Sequence, residues 1–220
     1  MRNVLTSVPT MIQKHILPLF RALRVAREES GLAAVEFALV LPIMVVLWFG
    51  GVELTQGLSV DRHLNNLASS IGDLISRCKI VTAANIDQIF DIAPGAMYPY
   101  CKTDAECTAD GLAMRVTAVN MDNASPANGT VAWTQKQGTL PAGETGYSVG
   151  ASMNSVVPAT LRVAGTQIIV AEVYYTYSPA IGYVITGDLA LNDRMFFVPR
   201  LVNKIQRCAS NPPPVTCQGS

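Results

Sequence analysis

The 220-residue chain carries 16 Lys and Arg against 16 Asp and Glu, half its residues are hydrophobic, and only 15% are charged. That charge content is well below the roughly 25% of an average soluble chain and fits a protein partly solvated by lipid. The basic residues are scattered apart from a small group before residue 28, which argues against a nucleic-acid binder. The length accommodates one ordinary domain plus a membrane segment.

The first element is apolar. Leu32 to Val52 is hydrophobic throughout, with Glu36 as its single charge. About 20 such residues in a helix cross the hydrocarbon core. A secretory signal peptide has a shorter apolar region, about 7–15 residues, and a small-residue cleavage site that is missing here. Arg2, Lys14, Arg21, Arg24 and Arg27 precede the segment, whereas Glu53 and Asp61 follow it. This bias places the N-terminus in the cytoplasm and the chain beyond about residue 54 across the inner membrane. Trp48 lies near the outer end, where interfacial Trp is common. Pro42 removes one helical hydrogen-bond donor, and Gly50-Gly51 weakens the ladder further. In an assembling helix such positions favour flexibility and helix contact, while in a simple anchor they are incidental.

Glu36 is the most informative residue. A carboxylate in lipid costs a few kcal/mol and by default calls for a partner. It could also sit at headgroup level, or in a first helical turn where the macrodipole favours it. The string EESGLAAVEFALVLP, from Glu28 to Pro42, resembles the processing site of type IV prepilins. That resemblance implies a cut by a membrane prepilin peptidase between Gly31 and Leu32, with the apolar helix retained. Gly31 offers no side chain to obstruct the peptidase and does not extend a helix across the bond. Glu36 would then be the fifth mature residue. Its carboxylate would pair with the Leu32 ammonium of a neighbouring subunit, so that neither charge is left unpaired. The pair Glu36-Phe37 and the longer run GLAAVEFALVLP are similar to the TadE/TadF minor pilins, or pseudopilins, of the tight-adherence (Flp) pilus system. The similarity runs over about Gly31 to Arg77 and includes an acidic residue near Glu53. Met195 to Arg200, MFFVPR, and Cys208 are weaker echoes of the same family. The leader of 31 residues is longer than is usual there.

Beyond the membrane, Val60, Leu64, Leu67, Ile71, Leu74, Ile75 and Cys78 recur at spacings of three and four. They predict that the helix continues as an amphipathic one. Thr82 to Phe90 predicts a second short helix, capped by Thr82 and stopped at Pro94-Gly95. Strands are expected at Ala113–Met121, Thr130–Gln135, Gln167–Tyr177 and, last, Met195–Val198, with Asn128-Gly129 as a turn. Gln137 to Gly165 is expected to form a long loop. The sequons at Asn123 and Asn128 read as turn chemistry, and Pro212 to Pro214 as a stiff, extended tail. Helix first and strands after predict an α+β fold: a long N-terminal membrane-spanning helix, continuing as an amphipathic helix, packed on an antiparallel sheet in the pilin manner. The expected organisation is a cleaved leader at 1–31, a transmembrane helix at 32–54, a periplasmic helical region at 55–92 and a β-rich periplasmic domain at 93–220.

The cysteines are Cys78, Cys101, Cys107, Cys208 and Cys217. None forms a CxxC pair, and neither histidine, His15 nor His63, lies near a cysteine in sequence, so no metal site is expected. Cys101/Cys107 and Cys208/Cys217 would close small disulfide loops in an oxidising compartment. In the cytosol all five would be free thiols. Cys78 is the odd one out, buried on a helix or available to a partner. No catalytic motif is present. His63 is placed facing solvent, and Glu144 and Asp188 are read as isolated loop acids. The chain therefore reads as a non-enzyme without cofactors. Its implied partners are the inner membrane, the prepilin peptidase, other pilins or pseudopilins and the pilus secretion machinery, with incorporation into a pilus and surface adhesion as the outcome. The competing reading is a signal-anchored periplasmic binding or adhesion domain that does not polymerise.

Overall fold

The computed structural model of the chain describes residues 29–144, 146–179, 182, 186–208 and 217–218. Residues 1–28 of the basic leader and the Pro212–Pro214 tail lie outside these residues. The chain divides into two compact units, Met1–Val52 and Glu53–Ser220.

In the first unit the described residues belong to helix α1, Glu29–Ser76, which continues into the second unit. Pro42 sits inside α1 without ending it. Every side chain from Gly31 to Trp48 is exposed, Leu32 at 64% and Trp48 at 66% among them. At 1.5 Å per residue, Leu32 to Val52 measures about 31 Å, the thickness of a bilayer core. A helix this apolar and this uncovered satisfies the length and composition of a membrane span.

In the second unit the α1 residues Glu53, Gly57, Val60, Leu64, Leu67, Ala68, Ile71 and Ile75 are buried on one face. Leu74, expected on this stripe, is 41% exposed. It lies off the line that Ile71 and Ile75 define, about 100° around the helix from Ile75. After α1 come β1 (Ile80–Val81), α2 (Ala83–Phe90), α3 (Ala93–Met97) and α4 (Asp104–Ala109). Thr82 caps α2: its Oγ1 accepts from Asn85 N at 3.2 Å, while Asn85 Oδ1 accepts from Thr82 N, closing a capping box. Pro94-Gly95 does not stop the helical region. Pro94 falls in the first turn of α3, where its missing N–H costs nothing.

The strands β2 (Ala113–Met121), β3 (Gly129–Gln137), β4 (Gln167–Tyr177) and β5 (Leu189–Phe197) form an antiparallel sheet in the order β3-β2-β4-β5. β6 (Gln206–Cys208) and β7 (Cys217–Gln218) form a second, small sheet with β1. The fold is α+β. Val116, Ala118, Ile169, Ala171, Val173 and Tyr175 face a core shared with the α1 stripe, Ile86, Phe90 and Met97. Trp133 is fully buried, and its Nε1 donates to Ile205 O at 2.8 Å. The opposite sheet face is also covered: Val119, Val131, Ile168 and Val170 meet Met153 and Val157 of the long 138–165 connection. β2 and β4 are thus central strands buried on both sides, which is why their sequences read as apolar runs with weak alternation. Each fully buried Val, Leu or Ile here contributes about 1.5–3 kcal/mol.

Two strand expectations need correction. Asn128-Gly129 does not make a two-residue hairpin. Residues 122–128 form the connection, organised by the Asp122 carboxylate, which accepts from Ala124 N, Asn128 N and Asn128 Nδ2 at 2.8–2.9 Å. Gly129 is already the first residue of β3. The strand at Met195–Val198 starts earlier, at Leu189, and is followed by β6 and β7. Its charged centre, Asn192-Asp193-Arg194, conceals it in sequence because Arg194 is held by an ion pair with Glu172.

Candidate functional site

The residues singled out at the N-terminal end of α1 lie on an uncovered helix. Leu32, Glu36 and Phe37 are exposed, and Leu32 and Glu36 are four residues apart on one helical face. The helix runs through Gly31 rather than breaking there. Glycine costs a helix about 1 kcal/mol, less than continuation of a long hydrogen-bonded ladder recovers. Glu53 differs from Glu36: it is buried, at 1% exposure, and its charge acts on the Tyr177 phenol. The acidic residue after the apolar segment is thus turned into the folded unit.

Met195–Arg200 docks on the far part of the same helix. A methyl group on Gly72 would fall inside the Phe197 ring. Arg200 N donates to Ser76 O at 2.8 Å, and Arg200 Nη2 pairs with Asp73 Oδ1 at 2.6 Å. The two stretches singled out for one resemblance, far apart in sequence, are in contact.

Against the family models, residues 31–72 match that of the TadE-like proteins. The chain carries a TadE-like segment. The match is consistent with a TadE-like protein of the tight-adherence (Tad) pilus system, a family of pilus-associated structural proteins. No curated protein and no solved structure matches the chain. The TadE-like segment begins at Gly31 and ends at Gly72, the position on which Phe197 rests.

Cys101 and Cys107 form a disulfide that ties α4 to the segment before it, with Cα atoms 5.1 Å apart. Cys208 is disulfide-bonded, and Cys217 is its register partner across the β6–β7 ladder. Cys78 is a free, half-buried thiol just past α1, donating to Leu74 O, and burial pushes its pKa up. His63 is half-buried rather than solvent-facing: its Nδ1 bonds Ser59 O at 2.7 Å and its ring meets Tyr100 edge-on. Among the described residues no cluster of three or more His, Cys, Asp or Glu is arranged to hold a metal ion.

The most concentrated charge in the second unit was not anticipated from sequence. Arg115 on β2 and Glu172 on β4 are register partners with side chains 1% exposed, joined at 2.7 Å from Nε to Oε2. Glu172 Oε1 also accepts from Arg194 Nε at 2.6 Å, and Arg194 is its register partner on β5. The Arg115 guanidinium lies 3.9 Å from the Tyr147 ring centroid and donates to Tyr174 Oη at 2.9 Å. Glu144 is no isolated acid. It accepts from Arg115 Nη2 and from Tyr174 Oη, both at 3.2 Å. Burial, then the Glu172 charge, pushes the Tyr174 phenol well above its ordinary range. Through Glu144 and Tyr147 the network clamps the 138–165 connection to the sheet. Every charge is paired, so the arrangement is structural.

Proposed function

We propose that the chain is a minor pilin, or pseudopilin, of a tight-adherence pilus machine. The observation that carries this reading is a bilayer-length apolar helix with exposed side chains, inside the TadE-like match, whose lone charge Glu36 stands one turn from Leu32. A prepilin peptidase cuts between Gly31 and Leu32 and leaves an ammonium group at the start of the helix. The helix holds the subunit in the inner membrane with its N-terminus cytoplasmic and the second unit in the periplasm. During assembly the Glu36 carboxylate of one subunit pairs with the Leu32 ammonium of its neighbour. An ion pair in a low-dielectric setting is strongly registered, because either charge alone is penalised. The periplasmic domain, stabilised by its disulfides, then contributes to pilus assembly and surface adhesion.

Glu36→Ala tests this reading. The variant inserts in the membrane at wild-type level but enters the sheared pilus fraction poorly. Normal incorporation and normal piliation would remove the proposed role of Glu36, and absence of the wild-type chain itself from the sheared fraction would leave a signal-anchored domain that does not polymerise.

A further inference from the structure

The second unit contains a cleft of about 790 Å³. Its size falls within the range of small-molecule sites, about 300–1,000 Å³. Tyr175 and Tyr177 of β4 are buried beneath it, and Tyr100 is half-buried beside them. The Tyr100 and Tyr177 rings meet edge-to-face at 6.4 Å and 88°. Tyr177 Oη donates to Gln56 Oε1 at 3.3 Å, which ties the end of the cleft to α1.

The edge of the cleft is acidic. Asp110 and Asp188 line it and are exposed. Asp188 Oδ1 accepts from Ser178 Oγ at 2.5 Å, which fixes its carboxylate beside β4. Asp110 is set by Gly111, whose φ of +79° is open to glycine and whose missing Cβ would press on Thr176. No Lys or Arg lines the cleft among the described residues. Burial and then the Asp110 charge raise the Tyr175 phenol, and burial followed by Tyr100 and Glu53 raises that of Tyr177.

We propose that this cleft binds an organic cation, an ammonium or guanidinium group seated against the tyrosine rings and held by the Asp110 and Asp188 carboxylates. Ring faces carry negative quadrupole charge and attract such cations, and carboxylates at the edge of the cleft add direct ion pairing. The cation can belong to a free polyamine or to the side chain of a protein partner.

Ligand-observed NMR on the full chain in detergent micelles tests the assignment. The probes are putrescine, the capped peptide acetyl-Gly-Lys-Gly-amide, its norleucine counterpart, and cellotriose. Both cations bind saturably, and the lysyl peptide binds at least tenfold more tightly than the norleucyl one. Affinity drops at least tenfold in Asp110→Asn/Asp188→Asn and falls with added salt. Both substitutions are at exposed positions, and an unchanged thermal unfolding curve confirms that the variant is folded. If it is not, the two single variants each show a smaller loss. Tighter binding of putrescine assigns a free amine, and tighter binding of the peptide a partner side chain. Equal binding of lysyl and norleucyl peptides, undiminished binding in the folded variants, binding of cellotriose alone, or no saturable binding of either cation would overturn the proposal.

Discussion

Replacing Glu172 by alanine removes the carboxylate that holds three strands' charges together. Glu172 accepts from Arg115 Nε at 2.7 Å and from Arg194 Nε at 2.6 Å. Arg194 is 36% exposed and can be rehydrated, but the Arg115 side chain is 1% exposed. Stranding a buried charge costs about 3–5 kcal/mol. Glu144 does not rescue it: its side chain is 38% exposed, and its bond to Arg115 Nη2 is the longer one at 3.2 Å. As a solvent-screened pair it is worth about 0–1 kcal/mol. At about 2–4 °C per kcal/mol for a unit of this size, Glu172→Ala lowers the melting temperature by about 6–20 °C. Glu144→Ala lowers it by a few degrees at most. Removing both buried partners, as Arg115→Met/Glu172→Leu, costs less than Glu172→Ala alone, because no buried charge is left without its counterpart. The assay is thermal unfolding of the full chain in detergent, followed by near-ultraviolet circular dichroism. Equal shifts for Glu172→Ala and Glu144→Ala would mean that Arg115 is not stranded by loss of Glu172.

Further outcomes follow from the same geometry. Gly72→Val forces a side chain into the Phe197 ring and destabilises the second unit by about 1–3 kcal/mol, an effect largely relieved in a Phe197→Ala background, as a double-mutant cycle would show. Cys101→Ser/Cys107→Ser loses about 2 kcal/mol, the low end for a disulfide, because the closed loop is short; denaturant melts with and without reductant measure it. Tyr174 has its pKa raised in the folded state, so its contribution is fully present below the unfolded-state value near 10 and is lost as pH rises beyond it; Tyr174→Phe should flatten that alkaline loss. The Asp122 carboxyl is held below its ordinary range, first by the Asn128 side chain, so Asn128→Ala raises its pKa in a carbon-13 titration and the 122–128 connection loosens at a higher pH on acidification.

The long helix was legible because one signal, hydrophobic periodicity, changes character along it: apolar all round to Val52, then one stripe from Glu53 to Ile75. β2 and β4 were legible to their end residues because β-branched and aromatic side chains fill strands buried on both faces. β5 was half-hidden, since Asp193 and Arg194 look like loop residues until Glu172 is placed opposite. The ionic network was hidden for the same reason. Its members come from β2, β4, β5 and the 138–165 connection, and only register brings them together. A signal was nevertheless present: Arg115 and Glu172 each interrupt an otherwise uncharged strand with one charge of opposite sign. Tyr100, Asp110 and Gln56 converge on β4 from three separate elements, so no spacing in the chain announces the cleft. Asn128-Gly129 misled because the turn chemistry is supplied six residues earlier, by Asp122.

The measurement that bears most directly on the account is N-terminal sequencing and intact mass of the protein extracted from its native membrane, with and without the prepilin peptidase. Processing at Gly31 gives a chain beginning LAAVEF at Leu32 when the peptidase is present, and the leader is retained when it is deleted. A chain that keeps its leader in both strains, or begins at any residue other than Leu32, overturns the assembly pair, because no ammonium then stands at Leu32 for Glu36 to meet.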